Sequence, residues 1–167
     1  MKKLLMVLLA LTVVFSFAAC KTEGNENKEP SILEGSLEDI LAKIYETADL
    51  EESDKNFIKE GLQTQEIPAD NTKYFLGKEG MEFEEAIASE PIMSPGAYSL
   101  CLVRVKEGTD IEQMKKDIKE NVDPMKWICV GVDKENVIVD SIDDVIFLVM
   151  SNTNAQQMHE AFLALKD

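Results

Sequence analysis

The segment Ala97–Lys106, AYSLCLVRVK, is the most strand-like stretch of the chain and sets the expectation for its fold. Its odd-numbered and even-numbered positions fall on opposite sides of a strand, and both sides are largely apolar until Arg104. A strand that is apolar on both faces has to be covered on both faces. The segment therefore predicts a central strand that lies between two other layers.

Segments on either side of this strand carry apolar residues at the helical spacing of three and four. The predicted helices are 36–45, which begins with a capping-box pattern at Ser36 and Asp39, then 53–62, 80–89, 111–122 and 155–165. Short apolar runs predict further strands at 73–76, 127–132, 137–139 and 145–150, with 133–136 as a hairpin turn. The expected order is α-α-β-α-β-α-β-β-β-α. This order indicates a single α+β domain over 36–167, with a largely antiparallel, twisted sheet against which the helices pack.

The amino-terminal segment has the pattern of an export signal. Lys2 and Lys3 precede an apolar run that extends from Leu4 to Phe17 with two polar interruptions. Residues 4–19 are fewer than the ~20 apolar positions that a membrane-spanning helix needs. We therefore expect residues 1–19 to be a cleaved signal peptide.

The end of this segment, Phe17-Ala18-Ala19-Cys20, resembles the lipobox of bacterial lipoproteins, although Phe17 stands where an aliphatic residue is usual. The resemblance implies cleavage before Cys20, a diacylglyceryl thioether on its sulfur and, in some bacteria, acylation of the new amino end, as by palmitate. Two acyl chains hold a protein stably at a membrane, whereas one does not. The alternative is an ordinary secreted protein with a chance cysteine at its cleavage site.

Residues 20–35 read as a polar, flexible tether between the lipid and the domain. From Cys20 onward the chain has 15 basic and 32 acidic residues, a formal charge of −17. This charge argues against nucleic-acid binding and against a domain that lies flat on anionic lipid. The expectation is an extracytoplasmic domain that is anchored at the outer surface of the cell membrane.

Two cysteines remain beyond Cys20. Cys101 and Cys129 both lie in apolar, strand-like runs, so we expect buried thiols that behave as small apolar side chains. A disulfide between neighbouring strands is the alternative outside the cell. Their spacing supports neither redox nor zinc chemistry.

No combination of residues forms a recognisable catalytic or metal-binding set. His159, the only histidine, lacks a nucleophile motif and is predicted to be structural. The carboxylates of Asp140–Asp144 lack the spacing and glycine of a calcium loop, which favours a solvated turn. We expect the solvent-exposed face of a helix to carry Glu82, Glu84 and Glu85. No catalytic residue, cofactor site or metal ligand is assigned.

The loop that precedes the central strand, SEPIMSPG at 89–96, is the one candidate binding feature. Two prolines stiffen it, so Ile92 and Met93 could form a binding lip that loses little entropy on docking. The general burial of Ile and Met favours packing in the core instead. Exposure of the two side chains beside a groove would favour the binding interpretation.

Two stretches, ASEPIMS at Ala88–Ser94 and the long run Ala97–Asp140, together with the closing strand and helix, resemble a family of small Gram-positive lipoproteins of unknown function. The resemblance implies a secreted, lipid-anchored domain and assigns no active residue. We expect a non-enzymatic domain that binds a cell-envelope protein or a small ligand. A hydrolase that acts on cell-wall glycan or peptide through paired carboxylates is the alternative.

Overall fold

A five-stranded antiparallel sheet with helices on both faces forms the fold, which the computed structural model describes for residues 33–166. The predicted signal peptide, Cys20 and most of the predicted tether lie outside the described residues. The α+β class, the antiparallel sheet and the helices packed against it are confirmed. Between residues 33 and 166, no helix has both the length and the hydrophobicity that crossing a bilayer requires.

The elements follow one another as α1 Leu37–Thr47, α2 Glu52–Gly61, β1 Leu62–Glu66, α3 Thr72–Leu76, β2 Glu85–Pro91, β3 Tyr98–Arg104, α4 Ile111–Asn121, β4 Val137–Ile142, β5 Val145–Ser151 and α5 Ala155–Leu163. Short 3-10 turns precede β4 at Lys134–Asn136 and follow α5 at Ala164–Lys166. The strands lie side by side in the order β1-β2-β3-β5-β4.

Strand β3 lies at the centre of the sheet, as its two-sided hydrophobicity predicts. All of its residues except Arg104 are buried. It pairs with β2 on one side and β5 on the other, so that Arg104 lies opposite both Glu85 and Val145. One face of the sheet packs against α1 and α5, and the other packs against α3 and α4.

Capping side chains fix the starts of α1 and α4. The cap of α1 is Ser36, as predicted, and the cap of α4 is Asp110. Ser36 Oγ accepts a hydrogen bond from the Asp39 N–H at 3.2 Å and donates one to the Asp39 carboxylate at 2.9 Å. Asp110 accepts a hydrogen bond from the Gln113 N–H at 3.0 Å. Both bonds satisfy amide groups that have no partner within the helix.

The predicted strand at 73–76 and the predicted helix at 80–89 are wrong. Residues 72–76 form the short helix α3, in which Phe75 and Leu76 are buried. Residues 85–91 form strand β2, because Ala86 and Ala88 face one core while Ile87 faces the other. Phe83 and Ile87 are four positions apart, as on one face of a helix, but Phe83 precedes β2 and Ile87 lies within it.

The predicted strand at 127–132 and its hairpin turn are also wrong. The structure has no strand between 122 and 136, and the segment is a loop that carries Ile128 and Cys129 at the surface. Cys129 has a φ of 64°, a left-handed backbone conformation that a strand does not use. Strand β1, which the sequence did not predict, pairs instead with β2.

Arg104, at the end of β3, holds the beginning of the described chain. Its guanidinium donates to the Gly35 carbonyl at 2.8 Å and to the Leu33 carbonyl at 3.5 Å. It also lies 3.6 Å from Glu85 and 3.4 Å from Asp144. Leu33 is itself buried, so the end of the predicted tether is attached to the domain through the Leu33 side chain and the Gly35 carbonyl.

Candidate functional site

A cleft of about 340 Å³ opens at the end of the sheet where β2 finishes and β3 begins. One wall is the loop that joins these strands, and the other is the loop that follows α4. Its lining combines apolar, aromatic and charged side chains, among them Tyr74, Glu90, Ile92, Met93, Lys126 and Ile128. We call this feature the loop cleft.

The first wall is held in place by contacts with the end of the sheet. The Ile92 N–H donates to the Gly61 carbonyl at 2.8 Å, and the Ser94–Pro95 peptide bond is cis. Gly96 packs so closely that a Cβ atom there would lie 2.9 Å from the Pro91 side chain. The Ile92 hydrogen bond and the close packing of Gly96 hold the two ends of this loop, and Ile92 and Met93 are exposed.

The second wall is a loop whose own hydrogen bonds define its shape. The Met125 N–H donates to the Asp123 carboxylate at 2.9 Å, and the Val132 N–H donates to the Pro124 carbonyl at 2.8 Å. A Cβ atom at Gly131 would lie 2.1 Å from Met125 Sδ, so the Met125 side chain packs directly against this glycine. The result is a closed loop that places Lys126 inward and Ile128 outward.

The floor of the loop cleft contains a buried ion pair. Lys126 Nζ lies 2.6 Å from Glu90 Oε1, and their side chains are only 4% and 9% exposed. The ammonium also lies 3.4 Å from Ser99 Oγ. An ion pair shielded to this extent interacts more strongly than a surface pair, but each charge depends on its partner.

Three aromatic rings surround the same ammonium group. Lys126 Nζ lies 4.4 Å from the centroid of Tyr74, 5.3 Å from that of Phe75 and 5.2 Å from that of Trp127, all within cation–π distance. Burial, followed by the Glu90 carboxylate, raises the pKa of the Tyr74 hydroxyl. Tyr74 is therefore a neutral hydrogen-bond donor at the edge of the cleft.

The rim of the loop cleft is apolar and unusually exposed. Within residues 33–166, four large apolar side chains are more than half exposed: Ile92 at 55%, Met93 at 81%, Met125 at 63% and Ile128 at 75%. All four belong to the two loops that form the walls. A second, adjoining cavity of about 540 Å³ extends from Ile92 and Met93 to Phe57 on α2.

The structure places the two residues that the sequence singled out in this rim. Ile92 and Met93 are exposed beside a groove, so their expected packing in the core is wrong and the binding interpretation is favoured. Sequence reasoning missed Glu90 and Lys126. No local pattern connects them, because 36 positions separate them and only the fold brings them together.

The two domain cysteines differ in their surroundings. Cys101 is buried in β3, as predicted, but Cys129 is exposed on the loop after α4, so its predicted burial is wrong. Both thiols are free. Burial raises the pKa of the Cys101 thiol to about 11.

His159 and the acidic turn belong to structural contacts away from the loop cleft. His159 Nε2 lies 2.8 Å from Asp140 Oδ2, and its ring stacks on Phe147 at 6.1 Å. Asp140 also lies 3.6 Å from Lys115 Nζ, and Asp144 is paired with Arg104. No group of three or more metal-ligating side chains is arranged to hold an ion anywhere in 33–166.

Carboxylates do gather at a cavity of about 320 Å³ beside α4, where a hydrolase could hold an acid–base pair. There Glu79, Glu82 and Asp117 are each within 3.2 Å of a lysine ammonium. The Lys78 ammonium and the Gln113 amide lower the pKa of Asp117, whereas a general acid needs a raised pKa. The geometry of this cavity therefore lends no support to paired-carboxylate chemistry.

No protein-family model, curated protein or solved structure matches this chain.

Proposed function

We propose that this protein is a lipid-anchored domain on the outer face of the cell membrane, and that it binds a partner protein through the loop cleft. One observation supports the binding role most directly. Three of the four most exposed large apolar side chains of the described chain, Ile92, Met93 and Ile128, line this one cleft, and the fourth, Met125, lies on the same loop as Ile128. Exposed apolar side chains that cluster in this way are typical of interaction surfaces.

The rim extends beyond the cavity itself, which favours a macromolecular partner over a small ligand. A small molecule that filled the loop cleft would leave Met93 and Met125 largely in water. A protein partner would cover them while it inserted an apolar side chain between Ile92 and Ile128. Two of the four rim residues are methionines, whose flexible side chains adapt to the surface they meet.

The anchor in this proposal rests on the lipobox-like sequence at Phe17–Cys20. Replacement of the acceptor thiol by Cys20→Ala should release the protein from the membrane or leave its precursor uncleaved. Cell fractionation and intact-mass measurement of the purified protein distinguish these outcomes from the wild type. A Cys20→Ala protein that fractionates like the parent, or an unmodified Cys20 in the wild type, would contradict the anchor.

The binding role can be tested with a photo-cross-linking amino acid placed at Met93, at Ile128 and, as a matched control, at Leu163. Leu163 is also an exposed apolar residue, at 39%, but it lies on α5 away from the loop cleft. We expect one protein to be captured from intact cells at the two rim positions and not at Leu163.

The captured protein, once purified, should bind the wild-type domain directly. Met93→Lys should weaken this binding at least tenfold and leave the melting temperature unchanged, because Met93 is exposed. Equal capture at Leu163, or equal affinity of the Met93→Lys variant, would contradict the loop cleft as the binding site.

A further inference from the structure

The outer edge of strand β1 presents backbone groups that have no partner within the described chain. The Ile67 N–H donates to Ala86 and the Ile92 N–H donates to Gly61, so the odd-numbered positions of β1 bond to β2. In an antiparallel ladder, the positions between them point their N–H and C=O groups the other way. Thr64 and Glu66 therefore turn these groups outward.

This edge is exposed, unlike the opposite edge of the sheet. Every β1 residue from Gln63 to Glu66 is solvent-exposed. At the opposite edge, α4 and α5 pack on β4, and Lys119 Nζ donates to the Val137 carbonyl. An uncovered edge strand is a ready template for another extended chain.

A cavity of about 310 Å³ adjoins the β1 edge on the face covered by α1 and α2. It is mainly apolar, and Thr64 of β1 forms part of its wall together with Leu41, Tyr45, Ile58, Leu62 and Ser89. Ser89 is 1% exposed, and its hydroxyl makes no hydrogen bond of normal geometry within residues 33–166. Burial raises the pKa of the Tyr45 hydroxyl, and the Ser89 hydroxyl lies close enough to it to offset part of this rise.

The same part of the molecule is strongly acidic. Residues 34–66, which form α1, α2 and β1, include ten acidic and three basic side chains. Glu66 on β1 and Glu38 at the cavity belong to this set. A bound strand of complementary charge would therefore carry lysine or arginine.

We propose that an extended, basic segment of a partner protein pairs with β1 as a sixth strand of the sheet. Its backbone would bond to the N–H and C=O groups of Thr64 and Glu66. Alternate side chains of a strand face opposite ways, so one side chain would enter the cavity while the side chains two positions before and after it, on the same face, lie toward the acidic residues of α1 and α2. A valine or threonine suits the cavity, since a threonine hydroxyl would give Ser89 Oγ its missing partner. This surface is separate from the loop cleft, and the inference does not rest on the function proposed for that cleft.

The test uses the full chain and a fluorescent, end-capped heptapeptide with valine at its fourth position, lysine at its second and sixth positions, which lie on the same face as the valine, and threonine elsewhere. We expect saturable binding, measured by fluorescence anisotropy, and at least tenfold weaker binding of a peptide in which glutamate replaces lysine. Thr64→Pro removes an outward N–H without breaking a bond to β2, and it should weaken binding at least tenfold. The matched control, Thr64→Val, keeps the N–H and should bind within about twofold of the wild type.

Hydrogen exchange of the wild-type chain provides a readout that does not depend on whether Thr64→Pro folds. The peptide should slow exchange of the Thr64 and Glu66 amides more than that of Gln63 and Gln65, which already bond to β2. The proposal is overturned if the lysine–valine peptide does not bind, if the glutamate peptide binds equally well, or if protection arises elsewhere. It is also overturned if light scattering shows a dimer that Thr64→Pro converts to a monomer, because the edge would then serve a second copy of the chain.

Discussion

Glu90 and Lys126 show how one pair of side chains can hold a loop against a strand. Glu90 lies near the end of β2 and Lys126 on the loop after α4, and both are almost completely shielded from water. Removal of one partner leaves the other charge buried without compensation. Once Glu90 is gone, three aromatic rings and the Ser99 hydroxyl remain around the Lys126 ammonium, and they are weaker partners than a carboxylate.

Glu90→Gln should lower the free energy of unfolding by about 3 kcal/mol, because it leaves the Lys126 ammonium buried without an anion. The double variant Glu90→Gln/Lys126→Met should recover a large part of this loss, since neither charge is then left alone. Urea denaturation measures both effects.

The matched control is Glu82→Gln, which breaks an ion pair of similar length with Lys106 at the surface. We expect a change below about 1 kcal/mol, because water screens exposed pairs. Equal losses for Glu90→Gln and Glu82→Gln would show that burial adds nothing to the pair.

The two domain cysteines should differ sharply in reactivity. The thiolate is the reactive form, and the Cys101 thiol combines burial with a pKa of about 11. At pH 8, iodoacetamide should therefore modify Cys129 in the native protein and reach Cys101 only after unfolding in urea. Peptide mass mapping measures the two sites separately, with Cys129→Ser as the control. Equal modification, or a disulfide-linked peptide, would contradict the structure.

The ionisation of Asp140 should make the free energy of unfolding depend on pH in the acidic range. Burial alone would raise its pKa, but the His159 ring, the Ser141 N–H and Lys115 together lower it below the ordinary value of 3.8. The native state therefore favours the ionised carboxylate. The ionised group stabilises the fold fully above the pKa of the unfolded state, and this stabilisation is lost as the pH falls through the lower pKa of the native state.

Asp140→Asn removes this contribution. The difference in unfolding free energy between wild type and variant should be largest near pH 5 and shrink toward about pH 3. Urea denaturation across this range measures it, and a difference that stays constant would show that Asp140 titrates alike in both states.

At the scale of elements, the helix starts differ in a way that the sequence only partly reveals. Ser36 caps α1 through its side chain, whereas Glu51 occupies the corresponding position of α2 without a side-chain hydrogen bond. A capping oxygen supplies a partner to an amide at the helix start that otherwise has none within the helix.

Ser36→Ala should cost about 1 kcal/mol of unfolding free energy, because the Asp39 N–H loses its acceptor. Glu51→Ala, the matched control, should change stability by less than about 0.5 kcal/mol. The urea concentration at the midpoint of unfolding measures the stability change of both variants when the slope of the transition is unchanged. An equal cost at the two positions would contradict the assigned caps.

The sequence predicts elements well where large apolar residues mark the buried positions, and it fails where the buried residues are small or the strand is exposed. The spacing of α1, α4 and α5 and the hydrophobicity of β3 and β5 reflect the cores that they enter. Strand β2 carries small residues such as Ala86 and Ala88, so it lacks the β-branched signal of a strand. Strand β1, LQTQE, is an exposed edge and has no apolar alternation to detect.

The candidate site could be predicted only in part for a related physical reason. Ile92 and Met93 stand out because two prolines stiffen their loop, but their exposure depends on how that loop leaves the sheet. The aromatic run Tyr74-Phe75 resembles a strand locally, yet tertiary packing selects a helix that turns both rings toward Lys126. Contacts between distant segments leave no mark in either segment alone.

At the scale of the whole molecule, negative charge outweighs positive charge throughout. The full chain carries 32 acidic against 17 basic residues. Many of the lysines are already within an ion pair, for example Lys73, Lys78 and Lys106. The remaining carboxylates repel one another, and this repulsion disfavours the compact state.

Added salt should therefore stabilise the protein. The urea midpoint should rise when sodium chloride increases from about 10 mM to about 200 mM, because the ions screen the repulsion. Sodium sulfate and sodium chloride at matched ionic strength separate this screening from sulfate's preferential exclusion. A falling midpoint would mean that attractive ion pairs dominate the charge balance.

The attachment of Leu33 and Gly35 to Arg104 fixes the end of the domain at which the described chain begins. Arg104 and Glu85 mark one end of the central strands, and the loop cleft lies at the other, about 20 Å away at the usual rise per residue of a strand. With a lipid on Cys20, as proposed, the thirteen steps to Leu33 can span at most about 45 Å from the bilayer. In that arrangement the tether would enter the domain at the end of the sheet opposite the loop cleft, and would leave the cleft free to face away from the bilayer.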